Sequence, residues 1–178
     1  MIEIRALRPE DDRTSFHSGD ADLDRFFSNF AGQNQFRHHI GVTYVAASPE
    51  VPARIHGYAT IAAGQIEIEE LTPAIRRRLP RYPLPVLRLG RLAIDENARG
   101  QGLGKTLLRF VFQLAVRMGV EMGCVGVVVD AKPNAIGFYE QFGFLPMELT
   151  EGGAAPHLQA KALFLPLAEI QASLKTSR

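Results

Sequence analysis

Apolar and polar positions follow two different periods near the start of the chain, and these periods predict its first elements. Residues 2–9 alternate apolar and charged side chains, which predicts a strand. Residues 18–36 follow a period near 3.6 and predict a helix with Ser18 or Asp20 as its N-cap. The apolar face of this helix is formed by Leu23, Phe26, Phe27 and Phe30.

The next segments predict a hairpin followed by an irregular connection. Residues 40–48 and 54–68 are rich in β-branched and apolar residues and flank a turn that contains prolines. Residues 72–85 contain four prolines. This connection therefore has room for at most one short helix, beginning at Thr72, and we expect it to be exposed.

A strand, a glycine-rich loop and a helix follow in close succession. Residues 86–95 predict the strand, whose apolar alternation changes phase near Gly90, as a β-bulge would cause. The helix after the loop is predicted to end at Gly119. Its apolar face is formed by Leu107, Leu108, Val111, Leu114, Ala115 and Met118. Residues 123–130 are almost wholly apolar and predict a strand covered on both faces.

The last third of the chain predicts one more helix and two more strands. Residues 134–144 predict a short helix capped by Asn134 and closed by Gly143. Residues 144–149 and 162–170 predict strands. The predicted order is β-α-β-β-β-α-β-α-β-β, which indicates an α/β (α+β) fold with a central αβα crossover, in a single domain over residues 1–178.

Composition narrows the class of protein. The formal net charge is +1 and 46% of the residues are hydrophobic, which excludes a disordered tail and a globally basic nucleic-acid binder. The apolar stretches are shorter than the roughly 20 residues of a membrane span, so we expect a soluble, cytoplasmic protein without a membrane partner. Cys124 is the one cysteine and is expected to lie in the core.

The segment RGQGLGKTLL, residues 99–108, raises the question of which phosphorylated ligand it could hold. The phosphate-binding loop of nucleotide triphosphatases requires glycine where Arg99 stands. The dinucleotide-binding fingerprint requires glycine where Lys105 stands. Both nucleotide fingerprints therefore fail by one position.

Although both fingerprints fail, the glycine loop keeps the physical properties that phosphate-binding loops share. Three glycines after a strand let successive backbone N–H groups point into one concavity, and the following helix adds its positive end. Arg99 and Lys105 could pair with outer phosphate oxygens. The alternative is a glycine-rich turn that only packs the helix closely against a sheet, and the loop by itself does not decide between the two.

A second motif at a fixed distance indicates a family. The glycine loop followed by NAIGFYEQFGF, residues 134–144, resembles the GNAT superfamily of N-acetyltransferases. The glycine motif of that family, [QR]-x-x-G-x-[GA], is matched by Arg99, Gly102 and Gly104. The close match covers residues 86–149. The resemblance implies the GNAT fold: a mixed, mostly antiparallel sheet that is splayed at the cofactor cleft and flanked by helices.

The resemblance also implies a site for acetyl-CoA and no metal. The pyrophosphate would be bound by the loop: Arg99, Gly100, Gln101, Gly102, Leu103, Gly104 and Lys105. Pantetheine would pair with the backbone of Leu92, Ala93 and Ile94 on the preceding, bulged strand. Asn134 would bond the pantetheine arm, a role compatible with capping the helix, and Phe138 would pack near it.

Tyr139 matches the frequent general acid of the family, the phenol that protonates the departing thiolate. A phenol with a pKa near 10 stays protonated at neutral pH and can donate to a thiolate whose conjugate acid has a pKa of about 8.5. The alternative for Tyr139 is an aromatic core residue, although Phe138 and Phe142 are the better core candidates because they lie at i and i+4. A backbone N–H of the bulged strand would stabilise the oxyanion.

The sequence offers no convincing general base for the attacking amine. The histidines and glutamates near strands are more typical of surface residues: His38, His39, His56, Glu67, Glu69 and Glu70. We therefore expect water, or an amine that is already neutral, to replace a protein base.

The first half of the chain resembles a subgroup of the family. Its F-x-x-G-x-x-x-L-D pattern is matched by Phe16, Gly19, Leu23 and Asp24. Members of this subgroup are the toxins of bacterial toxin–antitoxin pairs and acetylate the amino group of aminoacyl-tRNA. The resemblance implies aminoacyl-tRNA as substrate, a ribbon-helix-helix antitoxin as partner, and a possible homodimer.

A local cluster of arginines supports an RNA substrate. Six lie within sixteen residues: Arg76, Arg77, Arg78, Arg81, Arg88 and Arg91. Such a cluster could bind an RNA backbone, with an affinity that falls as salt rises. The alternative is a solvated loop that uses arginine for solubility. Two other functions stay open: acetylation of a small amine or a protein N-terminus, and a non-catalytic module that binds CoA.

Overall fold

The computed structural model describes residues 1–148 and 160–176. The strands are β1 Glu3–Ala6, β2 Val42–Ala47, β3 Ile55–Ile66, β4 Leu84–Ile94, β5 Gly126–Ala131, β6 Leu145–Pro146 and β7 Lys161–Pro166. The helices are α1 Ala21–Asn29, α2 Ala31–Phe36, α3 Pro73–Arg76, α4 Leu103–Glu121, α5 Ile136–Glu140 and α6 Leu167–Thr176. Short 3₁₀ turns cover Ile68–Glu70 and Glu96–Ala98.

The strands form a mostly antiparallel open sheet with the order β1-β2-β3-β4-β5-β7-β6. β2 pairs antiparallel with β1 and β3, so the predicted hairpin is confirmed. β7 pairs antiparallel with β5 and with β6. The predicted α/β class is confirmed, whereas the splay of the sheet stays a prediction.

The chain divides into two compact units, Met1–Ala62 with Leu89–Val111 and Ala63–Arg88 with Phe112–Arg178. The core of the first unit is aromatic. The ring of Tyr58 stacks on Phe27 with centroids 4.4 Å apart, and its hydroxyl donates to the Leu23 carbonyl at 2.7 Å. Burying the phenol is possible because this hydrogen bond satisfies its hydroxyl.

The core of the second unit is mainly aliphatic. It is built from Ile66, Ile68, Leu71, Ile75, Leu84, Val86, Val128 and Phe164. Five of the six residues of β5 are buried, which confirms a strand covered on both faces. The single domain predicted over residues 1–178 stays a prediction.

The first predicted helix is in fact two helices. Asp20 is the N-cap of α1, and its carboxylate accepts from the N–H groups of Asp22 and Leu23 at 3.0 and 3.2 Å. α1 ends at Asn29, and Phe30 serves both as its C-cap and as the N-cap of α2. The apolar spacing continues across this break, which is why the sequence predicted one helix.

The predicted end of α4 at Gly119 is wrong. The helix continues to Glu121, and Gly123, with φ 102°, closes it by donating its N–H to the Met118 carbonyl at 2.9 Å. Gly119 has a packing role instead, because a β-carbon there would lie 2.9 Å from Cδ2 of Leu167 on α6.

The C-terminal predictions require two more corrections. The strand predicted over 162–170 ends at Pro166, and residues from Leu167 form α6. The strand predicted over 144–149 is reduced to Leu145–Pro146, and Leu149 lies outside the described residues. No helix in the described ranges combines the length and apolar character needed to cross a membrane.

Two glycines of the second unit give opposite expectations for stability. A β-carbon at Gly126 would lie 2.7 Å from the ring of Phe164, whereas one at Gly137 would have nothing within 4 Å. We expect Gly126→Ala to lower the free energy of unfolding by about 1–3 kcal/mol through overpacking. Gly137→Ala should change it little or raise it by about 0.4–1 kcal/mol. Denaturant titration checks both, and equal effects would contradict the packing around Gly126.

Candidate active site

The loop between β4 and α4 begins with a fixed carboxylate. Asp95 is buried, and its side chain accepts from the N–H groups of His17 and Asn97 at 3.1 and 3.0 Å. Burial alone would raise the pKa of Asp95, but these hydrogen bonds outweigh it and hold the pKa below its usual value. The 3₁₀ turn Glu96–Ala98 follows directly and leads into the glycines.

The glycine loop is open on the side of its missing side chains. Gly100 and Gly102 have φ of 75° and 76°, which favours glycine, and a β-carbon at either position would have nothing within 4 Å. The first hydrogen bond of α4 runs from the Thr106 N–H to the Gly102 carbonyl at 3.1 Å. The N–H groups of the three residues before Thr106 therefore lack an acceptor within the helix.

These features are the ones that an anion site built from the backbone requires, and the site itself stays a prediction. The N-terminal end of the 19-residue helix α4 carries a partial positive charge, and Lys105 beside it is exposed. Gln101 is exposed, and Leu103 and Gly104 are partly buried. The arrangement fits a phosphate group that approaches from solvent.

Arg99 has a partner inside the protein. Its Nη2 donates to the carbonyl oxygen of Ser18, a residue 81 positions away in the sequence. Apart from the subgroup pattern that surrounds Ser18, nothing in the sequence indicates this bond. The guanidinium is thus engaged with the backbone, although the sequence suggested a phosphate oxygen as its partner.

The end of β4 does not show the predicted change of phase at Gly90, because the buried residues on either side of it, Leu89 and Ala93, lie an even number of positions apart. Gly90 and Arg91 are both exposed, which interrupts the alternation of buried and exposed positions. Ala93 is buried, and Leu92 and Ile94 on either side are partly buried. The bulge itself stays a prediction, as does the role of these three residues toward pantetheine.

In the second unit, Tyr139 of α5 is a buried phenol. Only 4% of the residue is exposed, and its ring makes edge contacts with Phe138 and Phe144 at 5.1 and 5.5 Å. Burial raises its pKa well above the usual value of a tyrosine.

The neighbours of Tyr139 differ from expectation in two respects. Phe138 and Phe142 are only partly buried, so the prediction that they are the core aromatics of this helix is wrong. Tyr139 takes that place because its ring lies against Phe144, which in turn stacks on Phe112 of α4 at 6.1 Å. Asn134 is exposed and does not cap the helix, since α5 begins after Ala135 without a side-chain cap.

None of the candidate general bases lies in an environment typical of a general base. His38 and His39 are exposed, and His56 is partly buried on β3. Glu67 and Glu70 form the capping box of a 3₁₀ turn, with Glu69 between them. The described residues contain no group of three or more His, Cys, Asp or Glu side chains that could hold a metal ion.

The arginine cluster separates into paired and unpaired side chains. Arg76 donates to Glu148 at 2.6 Å and to two backbone carbonyls, Arg78 lies 3.8 Å from Glu169, and Arg88 donates to Asp130 at 2.7 Å. Arg91, in the first unit, lies over the ring of Phe26 at 3.7 Å. Arg77 and Arg81 are exposed and have no carboxylate partner among residues 1–148 and 160–176.

A family model decides the class of the protein. The model of the acetyltransferase (GNAT) domain matches residues 40–146, which include β4, the glycine loop, α4 and Tyr139. The chain belongs to the GNAT acetyltransferase family. The resemblance inferred from two motifs is therefore confirmed, and the protein is an N-acetyltransferase.

Within this family the chain is similar to toxins. It is 30% identical over 141 residues to the tRNA-acetylating toxin of Mycobacterium tuberculosis (strain ATCC 25618 / H37Rv), covering 79% of this chain and 82% of the relative. It is 25% identical to the solved structure of AtaT complexed with acetyl-methionyl-tRNAfMet, with a TM-score of 0.85 and coverage of 97% and 99%.

A second AtaT structure adds two more ligands. It is a tyrosine-to-phenylalanine mutant of the toxin bound to the C-terminus of the antitoxin AtaR and acetyl-CoA. This chain is 26% identical to it, with a TM-score of 0.77 and coverage of 97% of each chain.

The buried tyrosines make stability fall at high pH. Burial raises the pKa of Tyr58 and of Tyr139, two of the four tyrosines, whereas unfolded tyrosine ionises at a pKa of about 10. Above that pH the unfolded chain loses protons that the folded chain keeps, so the stability present below it is lost as pH rises. Phenolate absorbance followed together with circular dichroism should show that these two tyrosines ionise only when the protein unfolds. Ionisation of all four in a native fold would contradict this.

Proposed function

We propose that the protein transfers the acetyl group of acetyl-CoA to the α-amino group of aminoacyl-tRNA, and that it is the toxin of a toxin–antitoxin pair. One observation carries the proposal: 79% of the chain aligns with a tRNA-acetylating toxin at 30% identity. The likeness to AtaT complexed with acetyl-methionyl-tRNAfMet supports the same acceptor. The activity belongs in the cytoplasm, where charged tRNA is found.

The glycine loop fits the pyrophosphate of the co-substrate. The open side of Gly100 and Gly102 leaves space for a ligand beside the backbone, and the N–H groups of Leu103, Gly104 and Lys105 have no acceptor in α4. The Lys105 ammonium supplies a charge-assisted partner. The thioester of acetyl-CoA supplies an activated acetyl group, and the end of β4 at Leu92, Ala93 and Ile94 is proposed to bind its pantetheine arm, together with Asn134 and Phe138.

Tyr139 is proposed as the general acid. In the reaction a bond forms between the amine nitrogen and the acetyl carbon, the carbon–sulfur bond breaks, and the sulfur needs a proton. The raised pKa of Tyr139 keeps its proton on the phenol at neutral pH, so the hydroxyl is available as a hydrogen-bond donor. As the carbon–sulfur bond breaks, the sulfur becomes a strong hydrogen-bond acceptor, and the phenol donates a hydrogen bond and then its proton to it. The proton that the attacking amine releases through water then restores the phenol.

The acceptor explains how the reaction proceeds without an evident protein base. The α-amino group of an aminoacyl ester is less basic than a lysine side chain, so a larger fraction is neutral at pH 7. A neutral amine attacks directly and then releases its extra proton to water. Water accepts this proton because none of the histidines and capping glutamates is positioned as a base.

Arg77 and Arg81 are proposed as the RNA contacts of the arginine cluster. They are exposed and have no carboxylate partner in the described ranges, so pairing with phosphate breaks no ion pair within those ranges. Arg76 and Arg88 would each have to leave a carboxylate at 2.6 and 2.7 Å. We propose that these paired arginines are structural parts of the same surface.

We also propose that an antitoxin of the ribbon-helix-helix class is the partner that covers this arginine surface, since AtaT binds the C-terminus of its antitoxin.

The acceptor is tested by competition in one mixture. Labelled acetyl-CoA is incubated with the protein and a pool of aminoacyl-tRNAs, peptides and polyamines, and the fractions are separated. We expect the label on aminoacyl-tRNA, and its release when the aminoacyl ester is hydrolysed. Label on peptides or polyamines would instead indicate a different amine, and no label in any fraction would indicate a module that only binds CoA.

Replacing Tyr139 by phenylalanine should separate catalysis from binding. Tyr139→Phe removes only the hydroxyl, and the edge contacts of the ring with Phe138 and Phe144 remain possible. We expect the transfer rate to fall about 10²- to 10⁴-fold while acetyl-CoA affinity changes little. Single-turnover kinetics and calorimetric titration provide the two measurements. A variant that keeps the wild-type rate would remove the phenol from the mechanism.

The two unpaired arginines should control RNA binding. We expect Arg77→Ala with Arg81→Ala to weaken tRNA binding and to reduce its salt dependence, by about 0.7–0.9 in log–log slope for each phosphate that is no longer neutralised. The matched control is Arg25→Ala with Arg117→Ala, which removes the same charge from exposed ion pairs with Asp22 and Glu121. Equal slopes for the two double variants would reject the assignment.

A further inference from the structure

The segment around Ser18 contacts the start of the glycine loop at several points within the first unit. The Glu96 N–H donates to the His17 carbonyl at 2.8 Å, and the His17 N–H donates to the Asp95 carboxylate at 3.1 Å. Arg99 donates to the Ser18 carbonyl. These bonds join residues 17–18 to residues 95–99 and so fix the backbone immediately before Gly100.

Asp24 holds Ser18 in the position that Arg99 requires. Its Oδ1 accepts from the Ser18 N–H at 2.8 Å and from the Ser18 hydroxyl at 2.6 Å. Ser18 is only 5% exposed, so these two donors have little access to water. Because the acceptor is a carboxylate, the two hydrogen bonds are charge-assisted and hold the N–H and the side chain of Ser18 in place, next to the carbonyl that Arg99 bonds.

Gly19 provides space for the same contact. Its φ is 87°, which disfavours any residue with a β-carbon. A β-carbon there would lie 2.5 Å from Oε1 of Glu96 and 3.1 Å from Nη2 of Arg99. Glycine is therefore favoured by the backbone conformation, and a β-carbon would displace the ends of both side chains, including the end of Arg99 that bonds Ser18.

The other two residues of the pattern anchor the segment in the aromatic core. Phe16 is 3% exposed and makes edge contacts with Phe27 and Tyr58 at 5.0 and 5.4 Å. The carbonyl of Leu23 accepts the hydroxyl of Tyr58 at 2.7 Å. All four residues of F-x-x-G-x-x-x-L-D thus hold one short segment against the loop.

We infer that residues 16–24 form a brace for the coenzyme loop, in which Arg99 is a positioning residue that bonds Ser18 and Asp24 is the anchor. The proposal rests on the proposed function only in taking CoA as the ligand. A site made of backbone N–H groups binds well only if the groups already point at the ligand, because reorienting them on binding would cost affinity. The brace supplies this orientation from outside the loop.

The chemistry of Arg99 gives a direct test. Arg99→Met keeps a long side chain but removes every N–H donor, whereas Arg99→Gln restores an N–H donor without charge. We expect Arg99→Met to weaken CoA binding about tenfold, as for removal of a hydrogen bond from a charged group, and Arg99→Gln to recover most of that affinity. Equal weakening in both variants would show that the charge itself matters, and that Arg99 contacts phosphate instead.

The anchor is tested with a matched pair on α1. Asp24→Asn weakens the bonds from Ser18, and Asp22→Asn removes the same charge from the same helical turn without touching Ser18. We expect Asp24→Asn to raise the Kd of CoA and the KM of acetyl-CoA about fivefold with kcat nearly unchanged, and Asp22→Asn to leave both values as they are. Melting temperatures show whether each variant is folded at the assay temperature. If Asp24→Asn is not folded there, the comparison of Arg99→Met with Arg99→Gln tests the brace instead.

A reference variant separates the brace from the proposed function. Gly102→Asp places a carboxylate at the open side of the loop, where it repels an anion. If Gly102→Asp binds CoA like the wild type, the phosphate site itself is wrong. If Gly102→Asp loses binding while Asp24→Asn and Arg99→Met keep it, only the brace is wrong.

Discussion

Backbone N–H groups without a carbonyl acceptor at the start of α4 are the constraint on which the rest of this site depends. A helix leaves its first N–H groups unsatisfied, and here the residues before it are glycines with positive φ whose open side reaches solvent. The protein therefore presents a set of oriented donors that an anion satisfies well. Asp95, the 3₁₀ turn Glu96–Ala98 and the bond from Arg99 to Ser18 all serve to fix where this set begins.

The proposed roles differ in the kind of group that each needs. The proposed coenzyme loop, in the first unit, uses main-chain groups, which carry little sequence information beyond glycine. The proposed general acid, Tyr139 in the second unit, is a side chain whose burial raises its pKa and keeps its proton in place. The arginine cluster around Tyr82 supplies positive charge. Three of its arginines form ion pairs with Glu148, Glu169 and Asp130, which neutralise their charge.

The sequence predicted what depends on local pattern and missed what depends on distant contacts. The hairpin of β2 and β3 and the burial of β5 follow from the alternation of apolar residues, and Asp20, the N-cap of α1, is one of the two caps that the sequence allowed. The end of α4 was wrong because Gly119 serves to admit Leu167, a contact that no helical period contains. α6 was missed because its first residues continue the apolar run of β7. The bond between Arg99 and Ser18 joins residues 81 positions apart, so no local pattern predicts it, although Ser18 lies within the F-x-x-G-x-x-x-L-D pattern.

The central claim is that main-chain N–H groups at the start of α4 bind the pyrophosphate of acetyl-CoA. The most direct measurement is an amide proton–nitrogen correlation spectrum recorded while CoA is added to the protein. We expect the signals of residues 100–105 to move most, and pantetheine, which lacks the pyrophosphate, to leave them in place. If CoA binds and these signals stay in place while others move, the phosphate lies elsewhere and the claim is wrong.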